Sequence, residues 1–119
     1  MQIGNIFQIY DLPEGDKEKF ESLYQGKGIK IERIISNGQS TPPGQWYDQP
    51  NDEFVVLLQG EASIEFQTGE INDLSTGDYL LIPAGLKHRV ILTGKNPPCI
   101  WLAMHFESET KNDLKKHEF

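Results

Sequence analysis

The stretch that decides the fold is GDYLLIPAGLKH, residues 77–88. A glycine–aspartate turn opens it, and Tyr79–Ile82 is a short apolar run of the kind that forms a buried strand. Pro83 ends that strand because proline cannot donate a ladder hydrogen bond. Gly85 permits a tight reversal, and His88 begins the next apolar segment. The stretch therefore predicts a strand, a tight turn and a second strand that starts with an imidazole.

Strand-like segments recur about every ten residues on either side of this stretch. Residues 29–35 are rich in β-branched side chains, and polar and apolar residues alternate strictly over 61–66. The predicted strands are 29–35, 53–58, 61–66, 79–82, 88–93 and 99–106. Such regular spacing predicts an all-β sandwich or barrel, with its core over about residues 29–106.

The segment before these strands has the pattern of a short helix. Asp11 and Glu14 have the spacing of a capping box. Phe20, Leu23 and Tyr24 follow at i, i+3 and i+4, which is one apolar stripe, and glycines come next. We expect a short N-terminal helix packed outside the sheet.

The chain has 119 residues, so one domain over 1–119 is expected, ending in a charged tail over 107–119. A formal charge of -7 argues against nucleic-acid partners and against anionic membranes. The longest purely apolar run, Phe54–Leu58, is far shorter than a membrane span. The first residues lack the pattern of a secretory signal, and Cys99 is the only cysteine. These features favour a cytoplasmic protein.

Two predicted strands are apolar on both faces, Phe54–Leu58 and Cys99–Met104. Strands of this kind are buried on both sides. A chain of this length has little material to cover the outside of a barrel. We therefore expect a second copy to cover one face, giving a homodimer.

The spacing of six residues resembles the two motifs of the cupin superfamily. Gly77, Pro83, Gly85 and His88 match its second motif, and Glu53 and Gly60 match part of its first. The sequence is most similar to small single-domain cupins of unassigned function. The resemblance implies a double-stranded β-helix, or jelly-roll barrel, with Glu53 and His88 facing its interior.

Many cupins hold a divalent metal with three histidines and one glutamate, and this sequence departs from that set. Its histidines are His88, His105 and His117. The two histidine positions of the first motif are Trp46 and Asp48 if the spacer before Glu53 has four residues, and Tyr47 and Gln49 if it has three. Both registers remain open at the level of sequence.

A different metal site is one hypothesis. Glu53, His88 and His105 would supply two imidazoles and one carboxylate, a set that suits Fe, Mn, Ni or Zn, with Asp48 as a further carboxylate. The alternatives are a metal-free His88 that only forms hydrogen bonds, a buried His105 with a polar partner, and a Glu53 that pairs with Arg33 or His88.

The residues expected to bind a ligand are Arg33, Trp46, Tyr47, Asp48 and Gln49. Arg33 shares strand parity with three isoleucines and would hold a carboxylate or phosphate if it faced inward; otherwise it is a rim residue paired with an acid. The sequence thus predicts a small cupin that binds a metal ion, a small polar metabolite, or both. Metal-dependent catalysis, metal-free epimerisation or tautomerisation, and a non-enzymatic sensing module all remain open.

Overall fold

The computed structural model of the protein describes residues 1–107. These residues form eight β-strands and contain no helix, and thus no helix long and apolar enough to cross a membrane. The strands are β1 (Lys19–Gly26), β2 (Ile29–Ser36), β3 (Asp52–Gln59), β4 (Ala62–Phe66), β5 (Ile71–Leu74), β6 (Tyr79–Ile82), β7 (His88–Thr93) and β8 (Cys99–Phe106). The all-β prediction is confirmed, whereas the predicted tail beyond residue 107 lies outside the described residues.

The strands form two antiparallel sheets. One has five strands in the order β1-β2-β8-β3-β6, and the other has three in the order β5-β4-β7. Alternate side chains of both sheets meet in one apolar core. Val55, Leu57 and Trp101 enter it from the larger sheet, and Ile64 and Val90 enter from the smaller one. This arrangement is the two-sheet jelly roll that the sequence predicts.

The predicted N-terminal helix is wrong. Its apolar stripe lies on β1, an edge strand that pairs with β2 along its whole length. A bulge between Ser22 and Tyr24 breaks the two-residue alternation, so Phe20, Leu23 and Tyr24 acquire a helix-like spacing within a strand. Gly28, with a φ of 75°, turns the chain from β1 into β2 instead of ending a helix.

Both faces of strand β2 are covered, and its polar residues are divided between the two faces. Glu32 and Ile34 point between the sheets, toward the cavity described below. Arg33 points the opposite way, to the outside of the larger sheet, where residues 1–10 pass. The three isoleucines that share its parity therefore do not draw Arg33 inward.

Candidate functional site

A cavity lies between the two sheets. About 50 Å³ of it is open to the centre of a water molecule, which is room for a few water-sized groups. Its apolar wall includes Ile34, Val55, Ile64, Ile82, Val90 and Trp101, and its polar wall includes Glu18, Glu32, Tyr47, Gln49, Glu53, His88 and His105. An apolar hollow with a few convergent polar groups is the usual form of a small-molecule site.

Glu53 and His88 converge in this cavity from opposite sheets. Glu53 lies near the start of β3, and His88 is the first residue of β7. Oε1 of Glu53 lies 3.5 Å from Nε2 of His88, and both residues are 6% exposed. The meeting of acid and imidazole that the motif spacing implies is present in the fold.

The hydrogen bonds of His88 determine what faces Glu53. Its Nδ1 lies 3.1 Å from the carbonyl oxygen of Leu86, and because a carbonyl only accepts, Nδ1 carries the proton and donates. In the neutral ring Nε2 then presents a lone pair toward Oε1 of Glu53. That oxygen is buried and accepts no hydrogen bond from the described residues. Two acceptors face each other, so a proton or an external donor is needed between them.

Tyr47 and Gln49 line the cavity, whereas Trp46 and Asp48 do not. Tyr47 forms two backbone hydrogen bonds with His88, of 2.8 and 3.1 Å, and their rings lie 5.7 Å apart. Trp46 packs against the guanidinium of Arg89 at 5.0 Å, and Asp48 is exposed. The backbone bridge thus selects the register in which Tyr47 and Gln49 take the positions of the motif histidines.

His105 faces the cavity beside Glu53 but is bonded to Glu32. The pairing of β3 with β8 places Glu53 opposite His105. Nε2 of His105 lies 2.9 Å from Oε1 of Glu32. This hydrogen bond is the main cause that raises the pKa of His105 above its ordinary value and lowers the pKa of Glu32. Lys30 also reaches Glu32, at 3.5 Å.

A third carboxyl group, that of Glu18, enters the cavity beside β1. Its side chain accepts a hydrogen bond from Ser36, whose oxygen in turn accepts one of 3.0 Å from the Trp101 indole. Burial raises the pKa of Glu18 despite the hydrogen bond from Ser36, because a buried carboxylate loses its hydration. This side of the cavity therefore favours the uncharged acid.

Arg33 does not line the cavity. Its guanidinium donates to Oε1 of Glu21 through Nε and Nη2, at 3.1 and 2.7 Å. Its Nη1 donates to the carbonyl oxygens of Ile6 and Gln8, at 3.0 and 2.6 Å. Arg33 is only 6% exposed, and these bonds tie the N-terminal segment to the outside of the sheet. Of the two predicted arrangements, the structure has the one in which Arg33 pairs with an acid.

The donor set does not fit a ready-made metal site. The described residues contain no group of three or more His, Cys, Asp or Glu side chains arranged to hold a metal ion. Tyr47 and Gln49 stand where the cupin motif has histidines, and burial raises the pKa of the Tyr47 phenol, so it stays protonated. His105 is engaged with Glu32. Metal binding by Glu53, His88 and His105 is therefore not confirmed.

Glu18 and Glu32 are cavity residues that the sequence analysis missed. An acid within a strand pattern usually predicts a face exposed to water. Only a partner far along the chain makes such burial favourable, and His105 lies 73 residues from Glu32. The sequence offers one indication that Glu32 is buried: it lies two residues before Ile34, and side chains two residues apart lie on the same face of a strand.

Comparisons with known proteins agree with this fold. Residues 34–105 match the sequence profile of the cupin domain family. A crystal structure from Ralstonia eutropha JMP134, provisionally named as a mannose-6-phosphate isomerase, is 44% identical, with a TM-score of 0.81. That alignment covers 91% of this chain and 100% of the other.

Two further proteins are similar. A cupin superfamily protein from Desulfitobacterium hafniense DCB-2 is 24% identical, covers 81% of this chain and 83% of its own, and has a TM-score of 0.66, a likeness of fold alone. The uncharacterized protein YdbB of Bacillus subtilis (strain 168) is 42% identical over 45 residues, which is 37% of this chain. The match spans only 40% of YdbB.

Proposed function

The chain belongs to the cupin domain family, and from that premise we propose that its cavity binds a small polar metabolite and moves a proton on it without a resident metal ion. One observation carries the proposal: the buried acceptors Oε1 of Glu53 and Nε2 of His88 face each other at 3.5 Å. A ligand whose hydroxyl donates to Oε1 of Glu53 and whose acidic C–H faces Nε2 of His88 would satisfy both atoms.

The arrangement suits proton transfer next to a carbonyl group. Nε2 of His88 takes the proton from the carbon beside the carbonyl, and the electron pair of that C–H bond moves toward the carbonyl oxygen. The Glu53 carboxylate stabilises the imidazolium that forms, while the Leu86 carbonyl keeps Nδ1–H in place. The protonated Tyr47 phenol beside His88 donates to the developing oxyanion.

The position at which the proton returns decides the product. Return to the former carbonyl carbon gives an isomer, because the hydroxyl on the deprotonated carbon passes its proton to the oxyanion and becomes the new carbonyl. Return to the same carbon from its other side gives an epimer. The name of the Ralstonia chain, which is 44% identical, is that of an isomerase. This name supports the same class of reaction for the present chain.

Solvent exchange tests the proposal directly. We expect NMR in D2O with EDTA present to show deuterium entering dihydroxyacetone or D-glyceraldehyde next to the carbonyl. His88→Gln and Glu53→Gln should each lower the exchange rate by about 100-fold or more. Glu70→Gln, a matched change at an exposed acid, should leave the rate unchanged.

Two other outcomes would count against the proposal. Binding of these compounds with no exchange would contradict the catalytic half and favour a non-enzymatic binding module. Exchange that EDTA abolishes and Fe, Mn, Ni or Zn restores would instead assign the chemistry to a metal ion.

We also propose that two copies of the chain associate through the outer face of the five-stranded sheet. Tyr79 and Leu81 of β6 are 65% and 63% exposed on this face, and Tyr79 stacks on Phe54 at 5.3 Å. An exposed apolar patch on a regular sheet favours association with a second identical surface.

A further inference from the structure

We infer that the cavity selects uncharged ligands that carry hydroxyl groups and rejects their phosphorylated forms. The inference rests on the proposed function and names the substrate class of the same site. It depends on the charges in the wall, on the position of the nearest cations and on the mixture of donors and acceptors.

Among residues 1–107, the wall of the cavity carries acids but no lysine or arginine. Glu18, Glu32 and Glu53 all line it, and the only basic side chains among the lining residues are the two histidines. His105 is already bonded to Glu32, so its charge is matched inside the protein. Nothing among the lining residues offers a phosphate dianion a free cation, and the Glu53 carboxylate would repel it.

Three cations on the strands that line the cavity are paired with acids in the described part of the chain. Arg33 is bonded to Glu21 and to two carbonyl oxygens on the outside of the sheet. Lys30 lies on the same face of β2 as Glu32, has 44% of its side chain exposed, and pairs with Glu32 at 3.5 Å. Arg89 lies outside the cavity, where it pairs with Glu65 at 2.6 Å. A phosphate inside would have to break one of these pairs to gain any of the three as a counter-ion.

The polar groups of the wall favour a hydroxyl over a pure donor such as an ammonium ion. Glu53 and His88 present acceptors, whereas the protonated phenol of Tyr47 and the amide of Gln49 bring hydrogen-bond donors. A hydroxyl group donates to the first pair and accepts from the second. The aliphatic side chains and the indole of Trp101 provide apolar surface for the C–H groups of a small polyol or sugar.

Matched pairs of compounds test this selectivity: glycerol with glycerol 3-phosphate, and dihydroxyacetone with dihydroxyacetone phosphate. Binding is followed by NMR, on the indole N–H of Trp101 and the ring signals of His88 and His105, which line the cavity. We expect each uncharged compound to bind at least about tenfold more tightly than its phosphorylated partner. Serinol, an amine of the size of glycerol, should bind no more tightly than glycerol.

A variant then reverses the preference. Gln49 is half-buried at the cavity, so Gln49→Lys places an ammonium group at its wall. We expect this variant to bind the phosphorylated partners about tenfold more tightly than the wild type does. Gln67→Lys makes the same change of charge at an exposed turn and should change the affinity less than twofold.

The outcomes separate the inference from the proposed function. If the phosphorylated forms shift the cavity signals of the wild type at equal or lower concentration, the inference is overturned and the proposed function stands. Serinol binding tenfold more tightly than glycerol would overturn the hydroxyl assignment in the same way. If no compound shifts these signals, the proposed function is contradicted and the inference falls with it. The wild-type comparison decides the matter even if Gln49→Lys does not fold.

Discussion

Nε2 of His105 lies 2.9 Å from Oε1 of Glu32, and the two side chains join neighbouring strands of the larger sheet inside the cavity. The hydrogen bond favours the charged form of both groups, so it raises the pKa of His105 and lowers that of Glu32. The stabilisation by the pair is thus linked to pH through two groups with opposite shifts.

The first prediction follows from the signs of these shifts. The raised pKa of His105 stabilises the fold below its ordinary value of 6.5 and ceases to do so as the pH rises through the folded value. The lowered pKa of Glu32 stabilises the fold above 4.5 and ceases to do so as the pH falls through the folded value. The difference in Tm between the wild type and Glu32→Gln should therefore be largest between pH 4.5 and 6.5.

Calorimetry across this range measures that difference, and NMR of His105 supplies an independent check. Its ring should titrate above 6.5 in the wild type and at a lower pH in Glu32→Gln. A Tm difference that does not vary with pH, together with an unchanged His105 titration, would contradict the prediction.

The second prediction concerns Arg33, which the structure places on the outside of the sheet. Arg33→Lys keeps the charge but loses the planar fork that reaches Glu21, Ile6 and Gln8 at once. We expect the free energy of unfolding to fall by about 1.5–3 kcal/mol in urea titrations. Ligand binding in the cavity should change less than twofold. If the variant instead lost ligand binding and kept its stability, Arg33 would be a ligand-binding residue and the prediction would be wrong.

Period-two patterns predicted most of the fold. Strands β6, β7 and β8 have the predicted bounds, because each places its inward-facing side chains in the core. The short β5 was missed, since Ile71–Leu74 has too few residues to establish a period. The bulge in β1 imitates a helical spacing, so the local pattern predicts a helix there.

The site was predictable only where its residues belong to a sequence motif. Motif spacing brought Glu53 and His88 together, but it could not choose between Tyr47 and Trp46, since spacers of three and four residues are both common in the motif. The choice depends on the backbone bridge from Tyr47 to His88, a contact between residues far apart in the chain. The pattern of neighbouring residues in the sequence cannot predict a contact between two distant segments.

The third prediction uses that register to rebuild a metal site. The double variant Tyr47→His and Gln49→His adds two imidazoles to Glu53 and His88, which completes the set that the cupin motif implies. Zn or Ni should stabilise this variant by about 2.7 kcal/mol when the free metal is at 100 times its Kd, seen as a higher Tm. EDTA should reverse the gain, and neither treatment should shift the Tm of the wild type.

Trp46→His with Asp48→His is the matched control for this experiment. It adds the same two imidazoles, but at positions that do not line the cavity. This variant should gain no stability from metal. A gain here, or a wild-type Tm that rises with metal, would show that the register or the proposal of a metal-free site is wrong.

The fourth prediction tests the proposed association of two copies. Leu81 lies on the outer face of the five-stranded sheet and is 63% exposed, beside the stacked rings of Phe54 and Tyr79. Leu81→Glu puts a charge into the centre of an apolar interface, so the dimer should dissociate at least about tenfold more readily. Leu92→Glu, at an apolar position of the smaller sheet that is 55% exposed, is the control. Light scattering at micromolar concentration should show a dimer for the wild type and for Leu92→Glu, and a monomer for Leu81→Glu. A wild type that is monomeric at this concentration would contradict the proposed dimer. A Leu81→Glu variant that remains dimeric would place the interface on another surface, because the substituted side chain lies on the outer face, away from the core.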